Sequence, residues 1–521
     1  MINVVRRSIL FSALERYGGV VFFLVSTAIL SRLLTPREFG IYAVVNAITA
    51  VTAASFQEFG GANYLIQKPS LSDGDIRSAY TFTLCLSVLF AVALFALRDV
   101  AAWFFSEEGL AIGIAASALN FLISPFLITI STLLRRDMAF GTLACCNVAG
   151  GLITAAVSIA LATLNYSFMA PIWGAIIGNA AVLALLIASR RDFRIFQPSF
   201  SGYRDVIGFG AYSSGTAIIN VFYNLAPQLI LARVLDFNAV GLYGRASNIT
   251  QVFDKWVIQV LNPVILPAMS AHKRAGGDLK RIYLNAIELI AVVQWPFLLF
   301  FALMADPIIW IWLGETWSEI VPLVRILCIA SLSLFAACLT YPVLVALGFV
   351  RDTLISSLIS LPPSLFVIFV ASFSGVRAVA ACALLALPFQ ALVALFFVGR
   401  RLAIKPADLI RATLKSGIVT GYSVGGALVS MAIMEFSSAG PVIGLISASI
   451  CAAAGWWLGL LMTKHPLLAQ LGMATDGMAV DAPWLPLVSG IRAGQKSPRS
   501  MEARQLRWPL QKTAMRRPAR S

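Results

Sequence analysis

AILSRLLTPREFGIYAVVNAI, residues 28–48, aligns without a gap to LILARVLDFNAVGLYGRASNI, residues 229–249. The pairs Ile29/Ile230, Leu30/Leu231, Arg32/Arg233, Leu34/Leu235, Gly40/Gly241, Tyr42/Tyr243 and Ile48/Ile249 are identical. Each segment reads as the end of one apolar run, a short polar turn and the start of the next run. Further on, GDIRSAY (74–80) answers GDLKRIY (277–283) after a slip of two residues. Two matches in the same order point to an internal duplication. A plainer reading applies to the arginines: Arg32 and Arg233 reach the membrane interface and bond the terminal carbonyls of helices. That reading is compatible with the repeat and does not remove it.

Outward from this hairpin, the chain is built of such runs. Hydrophobic residues make up 59% and charged residues 12% of the sequence, where a soluble domain carries about 25% charged residues. The mean hydropathy is +0.85. Fourteen stretches are long enough to cross a hydrocarbon core of about 30 Å: 9–34, 39–65, 79–97, 109–133, 143–164, 168–189, 207–232, 238–268, 284–304, 320–348, 353–373, 377–399, 414–434 and 439–462. The first is too long for a signal-peptide core and contains Glu15 and Arg16, so it is expected to be a retained span. The expectation is an all-α polytopic membrane protein. The repeat offset covers six spans, an even number, so its two halves run parallel and are related by an axis along the membrane normal.

Charge sets the direction. Cytoplasmic loops collect Lys and Arg. With the N-terminus inside, 30 of the 39 basic residues fall on the cytoplasmic side and five on the other, among them Arg32, Arg37 and Arg233. Both termini are then cytoplasmic. The net charge of +15 follows from this topology and calls for no nucleic acid partner. The segment after residue 463 is basic and Pro-containing; it is expected to be disordered and to lie near anionic headgroups.

Polar groups inside spans are costly, about 2.5–3.5 kcal/mol for a charge at mid-membrane on insertion scales, so they line cavities or pair. Here they concentrate in the spans that the repeat relates. Glu15 and Arg16 lie in the first span, and Asn46 and Glu58 in the second. The seventh supplies Asn220, Asn224 and Gln228, a stripe of about 80° on a helix. On the eighth, Arg245, Asn248, Gln251 and Lys255 fall within an arc of about 120°, with Asp254 beside them. Arg16, Arg245 and Lys255 are the candidate phosphate ligands, because phosphate oxygens want Arg or Lys. Arg16 is preferred to Arg32, about 160° away on the same helix. The amides are the candidate partners for sugar hydroxyls. Glu15, Glu58, Asp254 and Glu288 are candidates for a coupling H+ or Na+. The alternative for all of these ionisable groups is local pairing for packing.

ILSRLLTPREFGIYAVV (29–45), followed by FQEFGGANYLIQKPSLSDGDI (56–76), resembles the oligosaccharide-lipid flippases of bacterial polysaccharide export. These are the Wzx and PST-type members of the MOP superfamily, and the likeness is to the exopolysaccharide branch with the succinoglycan and colanic acid transporters. It covers roughly residues 5–460. The resemblance implies two six-helix lobes of the MATE-like kind, 1–206 and 207–402, around a central cavity. It also implies two added helices in 403–462, leaving 463–521 as the tail. The implied activity is alternating-access transfer of undecaprenyl-diphosphate-linked oligosaccharide from the cytoplasmic to the outer leaflet of the inner membrane.

Two other classes compete. A cation-coupled multidrug exporter shares the fold but needs an acidic or apolar cavity. A membrane polymerase or ligase needs catalytic groups on a sizeable outer loop, whereas the histidines, His272 and His465, are both on the cytoplasmic side. No G-x-x-x-x-G-K-[ST] sequence is present, so direct use of ATP is not expected. The seven cysteines lie in spans without a C-x-x-C pair, which suggests neither a metal site nor disulfides. No cofactor is expected. The partners are the polyprenyl-linked substrate and membrane lipids, with polymerase or co-polymerase proteins left open.

Overall fold

The structure, a computed structural model, describes residues 18–19, 22–59, 65, 68, 71–190, 193–199, 221–253, 269, 272–273, 277–435 and 440–468. In the first half, α1 (Phe22–Leu33), α2 (Pro36–Phe59), α3 (Asp73–Phe105), α4 (Gly109–Arg136), α5 (Phe140–Thr163) and α6 (Met169–Ser189) follow one another. The second half holds α7 (221–234), α8 (Phe237–Thr250), α9 (Leu279–Leu303), the short α10 (Ala305–Trp312), α11 (Val321–Ser331), α12 (Thr340–Leu347), α13 (Val350–Ser372) and α14 (Val376–Leu402). A hairpin of α15 (Pro406–Glu435) and α16 (Pro441–Thr463) is appended. Each of the fourteen expected spans carries helix over at least part of its length. Ten described segments are long and apolar enough to cross a membrane. The expected boundary at 206/207 and the tail from 469 onward lie outside the described residues.

Local chemistry starts the repeat-equivalent helices at equivalent positions. Before α2, Thr35 and Glu38 form a reciprocal cap: the Thr35 N–H donates to Glu38 Oε2 at 2.7 Å and the Glu38 N–H to Thr35 Oγ1 at 3.4 Å. Before α8, Asp236 Oδ1 accepts from the Ala239 N–H at 2.7 Å. The expected tenth span is interrupted by the 3₁₀ turn Leu332–Ala336. Carbonyls there find side-chain donors, Trp295 Nε1–H to Leu332 O at 3.0 Å and Tyr283 O–H to Ala336 O at 3.2 Å, which is how an irregular turn survives at membrane depth.

The halves meet where α2 and α8 begin, the 35/236 end of the bundle. A Cβ on Gly40 would stand 1.7 Å from the Phe237 carbonyl oxygen, and one on Gly241 would stand 1.9 Å from that of Pro36. Both pairs obey the offset of the sequence repeat, so each half presents a glycine to a carbonyl of the other. Only residues without a side chain permit this approach. Arg32 Nη2 donates across to Ile311 O at 2.8 Å, and the Arg233 guanidinium lies 5.2 Å from the Phe104 ring of the first half. Arg32 thus bonds a carbonyl near a helix end, as expected of it, but across the halves, whereas the contact of Arg233 is with a ring.

Packing divides accordingly. Among the described residues the largest core cluster mixes both halves at this end, with Leu34, Val44 and Leu110 against Leu231, Val240 and Trp317. Toward the opposite end there are separate clusters. One, around Ile130, Leu143 and Leu186, belongs to the first half. The other, around Tyr283, Ile287 and Val343, belongs to the second.

The α15–α16 hairpin docks on α9. Trp456 Nε1–H donates to Val292 O at 2.8 Å, and Ser416 Oγ–H donates to Glu288 O at 2.9 Å. Just past α16, the His465 side chain is fully buried, with Nε2 3.6 Å from Glu288 Oε1 and 3.4 Å from Ser416 Oγ. Nδ1 accepts the Leu467 N–H at 3.2 Å, so the ring proton belongs on Nε2. Burial, with Lys415 nearby, pushes the imidazole down to about 4. The carboxylate alone does not keep the ring charged, because desolvation outweighs it.

A histidine held neutral in the fold and free to charge when unfolded stabilises the protein fully above about pH 6.5. That contribution is lost as pH falls toward about 4. The apparent unfolding midpoint in detergent is expected to drop across this window, and to drop less in His465→Gln. Parallel pH curves for the two proteins would contradict the assignment.

Candidate functional site

Beneath the joint core lies a cavity of about 900 Å³ between the halves, at the upper end of the range of about 300–1,000 Å³ for small-molecule sites. Its walls are supplied by α1 (Ser26, Thr27), α2 (Phe39, Tyr42, Asn46), α5 (Asn147, Gly151, Thr154, Ser158), α6, α7 (Leu225, Gln228) and α8 (Gly244, Arg245, Asn248). The lining is aromatic at the closed end, and below it amides and hydroxyls alternate with apolar residues such as Phe22, Phe23, Val148 and Leu225.

Arg245 is the charged residue among the described lining residues. It is buried. Its guanidinium carbon lies 3.7 Å from the Phe39 ring centroid and 5.5 Å from that of Trp317. Its Nε has no hydrogen-bond partner, and none of the ion pairs among the described residues involves it. A buried ion without a counter-charge costs several kcal/mol, and stacking on rings returns only about 0.5–2 kcal/mol. Such a group is poised for an anion. Its pseudo-twofold mate is Val44, fully buried in the joint core, so the cation comes from one half alone.

Of the residues singled out from the sequence, Arg245, Asn46, Gln228 and Asn248 come together around this cavity. Three others stand elsewhere. On α7 the lining arc runs from Gln228 round to Leu225, about 60° away, and Asn224 lies about 40° to the other side; it is exposed and does not line the cavity. Gln251 stands past the last turn of α8, with Nε2 donating to Ser247 Oγ at 2.9 Å. Glu288 faces the appended hairpin at His465, away from the cavity. Glu15, Arg16, Asn220, Asp254 and Lys255 lie outside the described residues, as does the side chain of Glu58.

The sequence reading missed the wall formed by α5 and the aromatic platform of Phe39. Thr27 was within reach, since it is the repeat mate of Gln228 and lines the cavity opposite it. Asn147, a lone amide in an apolar run, was the other available signal.

A family profile described as polysaccharide biosynthesis protein matches residues 29–322, more than half of the chain and the part that contains every described wall of the cavity except Gly19 to Thr27. The chain belongs to this family. Among curated relatives, the lipopolysaccharide biosynthesis protein WzxC of Escherichia coli (strain K12) is 24% identical over 313 residues, 59% of this chain and 63% of the relative. The chain thus matches under two thirds of that relative's length. Among solved structures, the lipid II flippase MurJ in an inward closed conformation superposes with a TM-score of 0.72 at 12% identity, over 88% of this chain and all of the other. An inward-facing multidrug resistance MATE family transporter of the MOP superfamily gives 0.62 at 13%, over 76% and 98%. The chain shares the fold of these two structures: the regular secondary structure of its described residues is all helical, in two repeat-related lobes with two appended helices.

If Arg245 is an unpaired ion held for a ligand, removing it should relieve the fold. Arg245→Met is expected to stabilise the ligand-free protein on the order of 1 kcal/mol, read as a raised unfolding midpoint in detergent. A lowered midpoint would mean that the charge is structurally satisfied.

Proposed function

We propose that this chain is a transporter rather than an enzyme. In this reading it moves polyprenyl-diphosphate-linked oligosaccharide repeat units from the cytoplasmic to the outer leaflet of the bacterial inner membrane by alternating access. The observation that carries the reading is the Arg245 guanidinium, without an ion-pair partner among the described residues, in a cavity whose lining mixes amides and hydroxyls with rings and aliphatic residues. A diphosphate supplies the missing counter-charge, and amides and hydroxyls suit a glycan because they both donate and accept. Membership of a polysaccharide biosynthesis family and the fold shared with a lipid II flippase support the same substrate class. The same guanidinium argues against a cavity built for cationic drugs, since like charges repel in a low-dielectric site.

In this reading the 35/236 end faces the outer side and both termini are cytoplasmic, as the bias of Lys and Arg suggests. The chain divides into lobes 1–206 and 207–402, a hairpin 403–462 and a basic tail 463–521 that lies on anionic lipid. The joint core then seals the outer side, and the headgroup enters from the cytoplasm while the polyprenyl tail stays in lipid. Arg16 and Lys255 join Arg245 at the phosphates, with Asn46, Gln228 and Asn248 at the sugars. Polymerase or co-polymerase proteins receive the product. No cofactor takes part beyond a coupling H+ or Na+, for which Glu15, Glu58 and Asp254 are the candidate carboxylates.

Deletion in the native host is expected to leave lipid-linked repeat units on the cytoplasmic leaflet. Complementation with Arg245→Glu should restore less than about a tenth of polymer export at normal protein level, the size expected for losing a charge-assisted phosphate contact. Full export from Arg245→Gln would retire the site. Gly151→Phe offers a second check. A Cβ at Gly151 meets no atom within 4 Å, so the ring should enter the cavity, leave folding intact and cut export of the bulky headgroup.

A further inference from the structure

Arg245 is carried by the second half, yet the ring beneath its guanidinium, Phe39, belongs to the first. We propose that Phe39 is a positioning residue for Arg245. The anion site is therefore assembled across the two halves and is dismantled when they part at the 35/236 end, so that affinity for the diphosphate falls on opening. The proposal rests on the reading of Arg245 as the anion ligand.

The geometry gives three reasons. First, the guanidinium is held mainly by rings: its Nε lacks a hydrogen-bond partner, and its carbon lies over Phe39 and near Trp317. An arginine already stacked has given up its rotamer freedom before the anion arrives, whereas a free one must give it up on each capture. Second, the platform is itself built across the divide. Phe39 meets Trp317 edge to face at 5.4 Å, and the Trp317 Nε1–H donates to Ser31 O of the first half at 2.7 Å. Third, Phe39 is the neighbour of Gly40, whose backbone lies against Phe237. Any movement that separates α2 from α8 at that crossing carries Phe39 away from Arg245. The pseudo-twofold mates of this pair are Val240 and Val44, so the arrangement is not duplicated on the other side.

A ligand shifts a conformational equilibrium only by its difference in affinity for the two states. A site complete only in the closed state would hold its cargo until that end opens and then release it there. Phe39 would act by holding Arg245 in place at the closed end of the cavity.

The test uses the purified full chain in lipid nanodiscs with farnesyl diphosphate as the probe. Phe39→Leu keeps apolar bulk but no ring, and is expected to weaken binding roughly two- to thirtyfold, the range set by a lost cation–π contact. Phe39→Tyr keeps the ring and should bind as the wild type does. Gly40→Val wedges the halves apart without lining the cavity, and should weaken binding to a similar extent. Spin labels at the exposed positions Glu108→Cys and Glu319→Cys, in a background without the native cysteines, should report a longer distance across that end in the Gly40→Val protein. Should Phe39→Leu fail to fold, Phe39→Met serves in its place. Wild-type affinity in both the Phe39 and Gly40 variants, with binding lost in Arg245→Gln, would overturn the proposal and leave the anion site standing. Wild-type affinity in Arg245→Gln would overturn the anion site and this inference together.

Discussion

Gly40 and Gly241 let α2 and α8 cross with only backbone between them, and the rest of the molecule is arranged around that crossing. Lipid offers no hydrophobic drive for helices to associate, so contact must come from close packing and from hydrogen bonds. The two glycines supply the closeness. Arg32, Trp312 and Trp317 supply the bonds, each donating to a main-chain carbonyl on the other half. Because the crossing obeys the sequence repeat, the same small residue does the same work from both sides.

Fastening the halves at one end has a consequence at mid-depth. Two bundles joined along their whole length would bury one continuous core. Here the described core is shared only at the 35/236 end and separates into one cluster per half toward the other. The cavity occupies the place where the shared core stops. Its polarity follows from its position, since helix faces that are turned neither to lipid nor to the partner half are free to carry Asn46, Asn147, Gln228 and Asn248. Arg245 sits at the boundary between the two regimes, with rings of the sealed end above it and hydrogen-bonding groups below. A cation placed there senses both the ligand and the closure.

The appended hairpin belongs to a different part of the design. It is tied to α9 through Trp456, Ser416 and the buried His465, all contacts with the second half. Glu288, legible in the sequence only as a carboxylate within a span, is used at that junction. Asn224 and Gln251, expected on the cavity wall, stand off it. A stripe on an ideal helix gives an angle, but not the limits of the arc that a neighbouring helix leaves open, nor the turn at which the helix stops.

By itself the sequence determined the class, the approximate spans, the parallel duplication and the presence of cations and amides on the repeat-related helices. All of these follow from solvent and period: apolar length is set by bilayer thickness, and a repeat is visible as letters. What only the tertiary structure decided was partnership. Nothing in the letters says that Gly40 meets the carbonyl of Phe237, that Phe39 lies under Arg245, or that α5 forms a wall of the cavity. These contacts join residues up to some 200 positions apart, and which of them form depends on how two rigid bundles pack, a choice made by shape at their interface rather than by any local preference of the chain.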